Sequence, residues 1–236
     1  ILNRLHDPFT DMPHLDLLHP SRRLVGHRLE NSRLTTLEAC VLGVERHGDV
    51  PGYEIPGRYF DWLRRRDAGL MEDVFEHNRI DIISMAALVK HLSELLSGSD
   101  GGMAGHISDV LAAARLHHDR GNMEIARHFY GCAVKTDNAS VSREARKALS
   151  LMHKRAGLWE EALPLWEEML EDNPHDVFAV QELAKWLEHK KHDYARAVKI
   201  VEGILGDAPG LSEEEKESLR YRLNRLKDKH GRAAQA

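Results

Sequence analysis

Across residues 70–96 the apolar side chains Met71, Val74, Phe75, Ile82, Ala86 and Leu92 recur at helical spacing, which predicts one long helical region with room for a break near Asn78. On this pattern Ile82, Ile83, Ala86 and Leu92 form the packed face. Residues 34–42 read as a shorter helix, opened by Ser32 and stopped by Gly43. Further upstream, PHLDLL (13–18) alternates apolar and polar positions like an extended segment. A Pro- and Gly-rich loop, GDVPGYEIPG, leads into the helical stretch RYFDWLRRR.

After SGSDGGMAG (97–105), which has the composition of a linker, the grammar changes and every segment looks helical. Setting Gly121 over Gly157 aligns GNMEIARHFYGCAV with GLWEEALPLWEEML. Ala126 then falls on Ala162, Tyr130 on Trp166 and Asn138 on Pro174. A third copy, HDYARAVKIVEGIL, places Ala197 and Val201 at the same positions and closes at Pro209. A period in the mid-thirties, with a small residue where paired helices cross, resembles the tetratricopeptide repeat family over about residues 107–210. The first helix of each copy lacks that family's usual aromatic; Arg146 stands there in the second. From Ser212 a Ser-x-x-Glu capping box opens a charged final helix around Leu219, Leu223 and Leu226, suited to closing a solenoid.

Composition narrows the choices. A hydrophobic share of 42% with 30% charged residues is that of a globular protein with a buried core. No apolar run approaches the ~20 residues of a membrane span, and no signal-peptide pattern opens the chain. The two cysteines, Cys40 and Cys132, form no CxxC motif, so the expected location is the reducing cytoplasm. A net charge of −5 gives no general basic surface for nucleic acid, so any such role needs a local site with metal ions supplying positive charge. The stretch from Ile1 to Phe9 reads as the interior of a longer chain.

The candidate chemistry lies in FEHNRIDIISM. His77 and Asp81 are four residues apart on the long helix and therefore neighbours. Such a pair on its own is usually a solvated ion pair. The surrounding text changes that. HLDLLHPSRRL, LTTLEACVLGVERHGDVPGYEIPGRYFDWL and VFEHNRIDIISMAALV, in this order, resemble the YprB-like branch of the ribonuclease H-like DEDD 3′–5′ exonucleases over about residues 1–95. The resemblance implies four acidic residues holding two divalent ions, Mg²⁺ or Mn²⁺, with a His or Tyr near the last acid as general base. It places Asp81 at the fourth acidic, metal-binding position and His77 at the base. Three residues separate them, the spacing of the Tyr-type members. The family's first two motifs, Asp-x-Glu and Asn-x-x-x-Phe-Asp, have no counterpart in these residues. Asp16 reads as a structural or capping group, and Arg22–Arg23 and Arg64–Arg66 as solvated surface.

The expected fold is mainly α: the C-terminal part of a ribonuclease H-like α/β domain (1–96), a linker (97–105) and a tetratricopeptide-like α-hairpin solenoid with a capping helix (106–236). The expected activity is that of a metal-dependent exonuclease acting on the 3′ end of DNA or RNA, with the repeats free to hold a protein partner. The fragment itself is expected to be inactive. The rival expectation is a non-catalytic scaffold that binds a peptide or protein through the repeats.

Overall fold

The computed structural model describes residues 12–98, 105–207 and 210–233. Most of the 97–105 linker, the closing Pro209 and the segment from Ile1 to Phe9 lie outside the described residues. Among the described residues there is no strand, and the protein is mainly α. No helix is long and apolar enough to cross a membrane. The chain forms two compact units, Ile1–Leu116 and His117–Ala236, which divide within a helix beyond the 97–105 composition break.

The first unit holds α1 (Leu18–Leu24), α2 (Leu34–Leu37), α3 (Ile55–Arg65), α4 (Glu72–Ser97) and most of α5 (Ile107–Asp119). The 13–18 segment is not a strand: Leu15 is exposed, and Asp16 Oδ1 accepts from the Leu18 amide at 2.8 Å, turning the chain into α1. The helix predicted over 34–42 forms, but its last five residues, Glu38–Leu42, widen into a π-turn that closes on Gly43 at φ 68. Its entry is set by Asn31 rather than Ser32, because Asn31 Oδ1 accepts from both the Arg33 amide and the Thr36 hydroxyl. Helix α4 runs unbroken through Asn78, and α1, α2 and the π-turn pack on it.

The packed face of α4 is not the expected one. Ile82 and Ile83 are 64% and 54% exposed, and Ala86 is exposed too. The buried stripe is Val74, Ser84, Leu88, Leu92 and Leu95, with His77 and Asp81 half-buried on the same line. The reason is electrostatic: this stripe carries the polar groups that have buried partners on the π-turn and the loop after it, as set out below.

In the second unit α6 (Met123–Val134), α7 (Ala139–Arg155), α8 (Trp159–Asp172), α9 (Val177–Trp186), α10 (Tyr194–Asp207) and α11 (Glu213–Ala233) each pack on the next. Ala126, Ala162 and Ala197 are fully buried, as close helix crossings require, and Phe129, Tyr130 and Trp166 fill the space beside them. Asn138 and Asp176 cap α7 and α9 by accepting from the Val141 and Ala179 amides. Ser212 and Glu215 form the anticipated capping box at the head of α11, which buries Leu219 and Leu226.

Candidate functional site

Three carboxylates in the first unit converge on one guanidinium. The π-turn presents Glu38 from a position in line with Leu34 and Val41, so its side chain points inward and is fully buried. The loop after Gly43 brings Arg46 against it: Arg46 Nε and an Nη donate to the two Glu38 oxygens, each at 2.6 Å. The other Nη donates to Asp49 Oδ2 at 2.8 Å. The Nη that serves Glu38 also donates to Asp81 Oδ1, again at 2.6 Å. Burial opposes the charge on Glu38, yet the bonds from Arg46 and Ser84 hold its carboxyl below the usual range. Asp49 is likewise held down against burial, by Arg46 and His77. Glu38 in turn raises Arg46 further, with Asp49 and Asp81 adding to it.

His77 belongs to the same network. Its Nδ1 lies 2.8 Å from Asp49 Oδ1. An ionised carboxylate can only accept, so Nδ1 carries a proton toward Asp49. Nε2 sits 3.5 Å from Asp81 Oδ2. The arrangement is an imidazole held between two carboxylates. The structure therefore brings the two sequence-derived site residues together and adds Glu38, Arg46 and Asp49, which the sequence reading missed. Glu38 had a signal: an acid in the apolar stripe of a short helix demands a partner. Arg46 and Asp49 lie in an irregular loop, where no periodicity marks them.

The fit of these residues to a pair of divalent ions can be judged from their partners. Both oxygens of Glu38 are bound by Arg46, and Asp49 is divided between Arg46 and His77. Only Asp81 Oδ2 lacks a hydrogen bond within this cluster, on a side chain that is 31% exposed. Two hard cations want about six oxygen ligands each. These residues do not fit a two-ion site.

A second group, His27, His106 and Asp109, places one ligand atom from each within 4.8 Å of the others. Asp109 is fully buried and already gripped by Arg28, whose Nε and Nη2 donate to it at 2.9–3.1 Å. Burial pulls the His27 pKa down, and Arg28, His106 and Arg115 add to that against Asp109. A cation there would meet a carboxylate whose charge is already compensated, so we read the group as a buried ion pair. The basic runs behave as expected: Arg22, Arg23 and Arg64–Arg66 are exposed.

Residues 1–93 match the family described as the RNase_H superfamily, a nuclease-like domain. A relative is the Bacillus subtilis (strain 168) protein named "Uncharacterized protein YprB", 35% identical over 224 residues covering 92% of this chain. The chain spans about half of that relative, 52% of its length. No solved structure matches.

Proposed function

We propose that the chain is part of a metal-dependent 3′–5′ exonuclease that hydrolyses phosphodiester bonds in DNA or RNA. The observation that supports it best is the Asp49–His77–Asp81 line, in which a carboxylate orients a histidine and turns its Nε2 toward Asp81. In this reading His77 accepts a proton at Nε2 and Asp49 steadies the ring as it becomes charged. Asp81 would offer one oxygen, Oδ2, toward Mg²⁺ or Mn²⁺, and a complete site would need carboxylates outside this cluster. Residues 1–96 then form part of a ribonuclease H-like domain, and 106–236 a tetratricopeptide-like module in a cytoplasmic protein.

The test is hydrolysis of 3′-labelled single strands. The 236-residue chain should stay at background with either ion. In a longer protein that is active, Asp81→Asn should abolish turnover by orders of magnitude, since an amide is a poor ligand for a hard cation. His77→Ala should cost about 10²–10⁴-fold, the usual worth of a positioned base. Circular dichroism checks that both variants fold; near-parental rates in a folded Asp81→Asn protein would refute the assignment.

One observation favours a second reading, a scaffold. A groove of about 1000 Å³ runs between α8, α9 and α10, floored by Leu170, Val180, Leu183 and Ile200, with Glu171 and Lys199 also lining it. A peptide with apolar side chains fits such a surface.

A further inference from the structure

The end of the second unit holds more positive charge than its fold needs. Glu188, on the π-turn Leu187–Lys191 after α9, is fully buried. One buried carboxylate requires compensation, and it has it twice over: Arg225 at 2.6 Å on Oε2 and Lys229 at 2.8 Å on Oε1. Yet Arg222 also stands 3.6 Å from Oε2, and His189 3.5 Å from it. The surplus is felt by the groups themselves. Burial lowers the Arg222 pKa and Arg225 lowers it further, against the pull of Glu188 and Glu182. His189 is depressed by burial and then by Lys229, Arg225 and Arg222, against the pull of Glu188.

Sequence along α11 extends the surplus. From residue 220 to 232 it carries Arg220, Arg222, Arg225, Lys227, Lys229 and Arg232 against the single acid Asp228, in a chain of net charge −5; of these Lys227 pairs with Glu202 on α10 at 2.7 Å. Complementing the helix dipole explains cations in the last turn only, because that effect fades within one turn. Here they run for more than three. Arg222, Arg225, Lys229 and Arg232 follow one another at three- and four-residue steps, so they share one stripe ~15 Å long. Arg225 and Lys229 remain 39% exposed while they hold Glu188, and Arg232 is exposed. At the edge of the stripe, four residues before Arg225, Tyr221 is 71% exposed although it is a large aromatic on a helix that buries its leucines.

A row of cations beside an open aromatic ring suits a flexible polyanion that also offers flat π-surfaces. We propose that the α11 stripe, backed by Glu188, is a binding surface for single-stranded nucleic acid: Arg225, Lys229 and Arg232 meet successive phosphates and Tyr221 stacks on a base. Glu188 acts as a fixed template that keeps the cationic heads on one line while leaving part of each open. The partner fits the nuclease reading above, but the surface is built from other residues and stands without it.

The experiment is fluorescence anisotropy of a labelled twelve-nucleotide oligothymidylate titrated with the 236-residue chain in EDTA, so that neither divalent ions nor hydrolysis contributes. Saturable binding is expected, with log Kd rising against log salt at a slope of about 2 for three phosphates neutralised. Arg232→Gln, an exposed position, should lower that slope by about 0.7. Tyr221→Ala should weaken binding about tenfold or more while leaving the slope unchanged. Inorganic polyphosphate should compete less well than the oligonucleotide at equal charge. The proposal is overturned if the oligonucleotide does not bind at low salt, or if neither variant changes its binding. It is equally overturned if Tyr221→Ala binds like the parent and polyphosphate competes equally, which would leave a surface for anions in general.

Discussion

The two units differ in where they put their aromatics. The second buries most of its largest: Phe129, Tyr130, Trp166 and Trp186 are inside, beside alanines that let helices close on one another, with Tyr221 the exposed exception. The first leaves Tyr53, Tyr59, Phe60, Phe75, Ile82 and Ile83 in the open. Both bury glutamates against cations, Glu38 on Arg46 in the first and Glu182 and Glu188 in the second. Helix α4 shows what decides between these outcomes. It has an apolar stripe through Phe75, Ile82 and Val89 and a mixed one through His77, Asp81 and Ser84. The mixed stripe goes inside. Within this unit an exposed isoleucine forgoes some burial, whereas Glu38 buried without Arg46 would face a desolvation penalty of several kcal/mol. Polar partners fix the orientation of a helix that hydropathy alone would turn the other way.

The largest effect should come from removing the cation that holds the first unit together. Arg46→Met leaves Glu38 buried and unpaired and should destabilise that unit by about 3–5 kcal/mol, read as lost hydrogen-exchange protection in α2 and α4 with α7–α9 unchanged. Acid sharpens the test. Glu38 and Asp49 are held below the ordinary carboxylate range, so the stability they confer is complete above about pH 4–4.5 and is lost as pH falls through their folded values. Glu182 and Glu188 in the second unit are also depressed, each against burial and by neighbouring lysines or arginine, so acid weakens both units. The gap between parent and Arg46→Met should therefore narrow toward pH 3, because the unpaired Glu38 protonates readily. A gap that stays constant with pH would show that Arg46 acts through packing.

The next effect tests the other half of the comparison. Ala162 is fully buried where α8 meets its neighbours, and Ala162→Leu should cost about 1–3 kcal/mol by overpacking. The measurement is urea denaturation followed by tryptophan fluorescence, since Trp159, Trp166 and Trp186 all lie in this unit. A neutral result would mean that the helices there are not in close register, against the repeat reading.

What the sequence made legible follows the same division. In the second unit, buried positions recur where residues aligned by period put them: Ala126, Ala162 and Ala197, and with them Tyr130, Trp166 and Val201, are all inside. Apolar packing leaves a periodic trace. In the first unit, the stop at Gly43 and a long helix over about 70–96 could be read, as could the closeness of His77 and Asp81, because these are local. The face of α4 could not. Its buried line, 74, 77, 81, 84, 88, 92 and 95, has a good helical rhythm but is polar in its middle, and only the partners supplied by Arg46 and Glu38 make it an interior face. Those partners sit 35 or more residues away along the chain, in a loop and a π-turn. Charge pairing across such distances leaves no period to find.

The smallest effect is the most discriminating for α4. Ile82 is 64% exposed in this chain, on a helix fixed by the network on its other side. If orientation is set by charge, Ile82→Ser should change stability by no more than about 0.5 kcal/mol, the range of ordinary surface substitutions. Ser84→Ile, two residues on and across the helix on the buried line, should instead cost about 1–3 kcal/mol, because it overfills a packed site and removes a hydrogen bond from Glu38. The two substitutions exchange the same residue types in opposite directions, so propensity nearly cancels between them and location is what remains. Urea midpoints at neutral pH give both values. Should Ile82→Ser prove the costlier change, hydropathy and not Arg46 would be turning this helix, and the Asp49–His77–Asp81 line would lose the support that holds it.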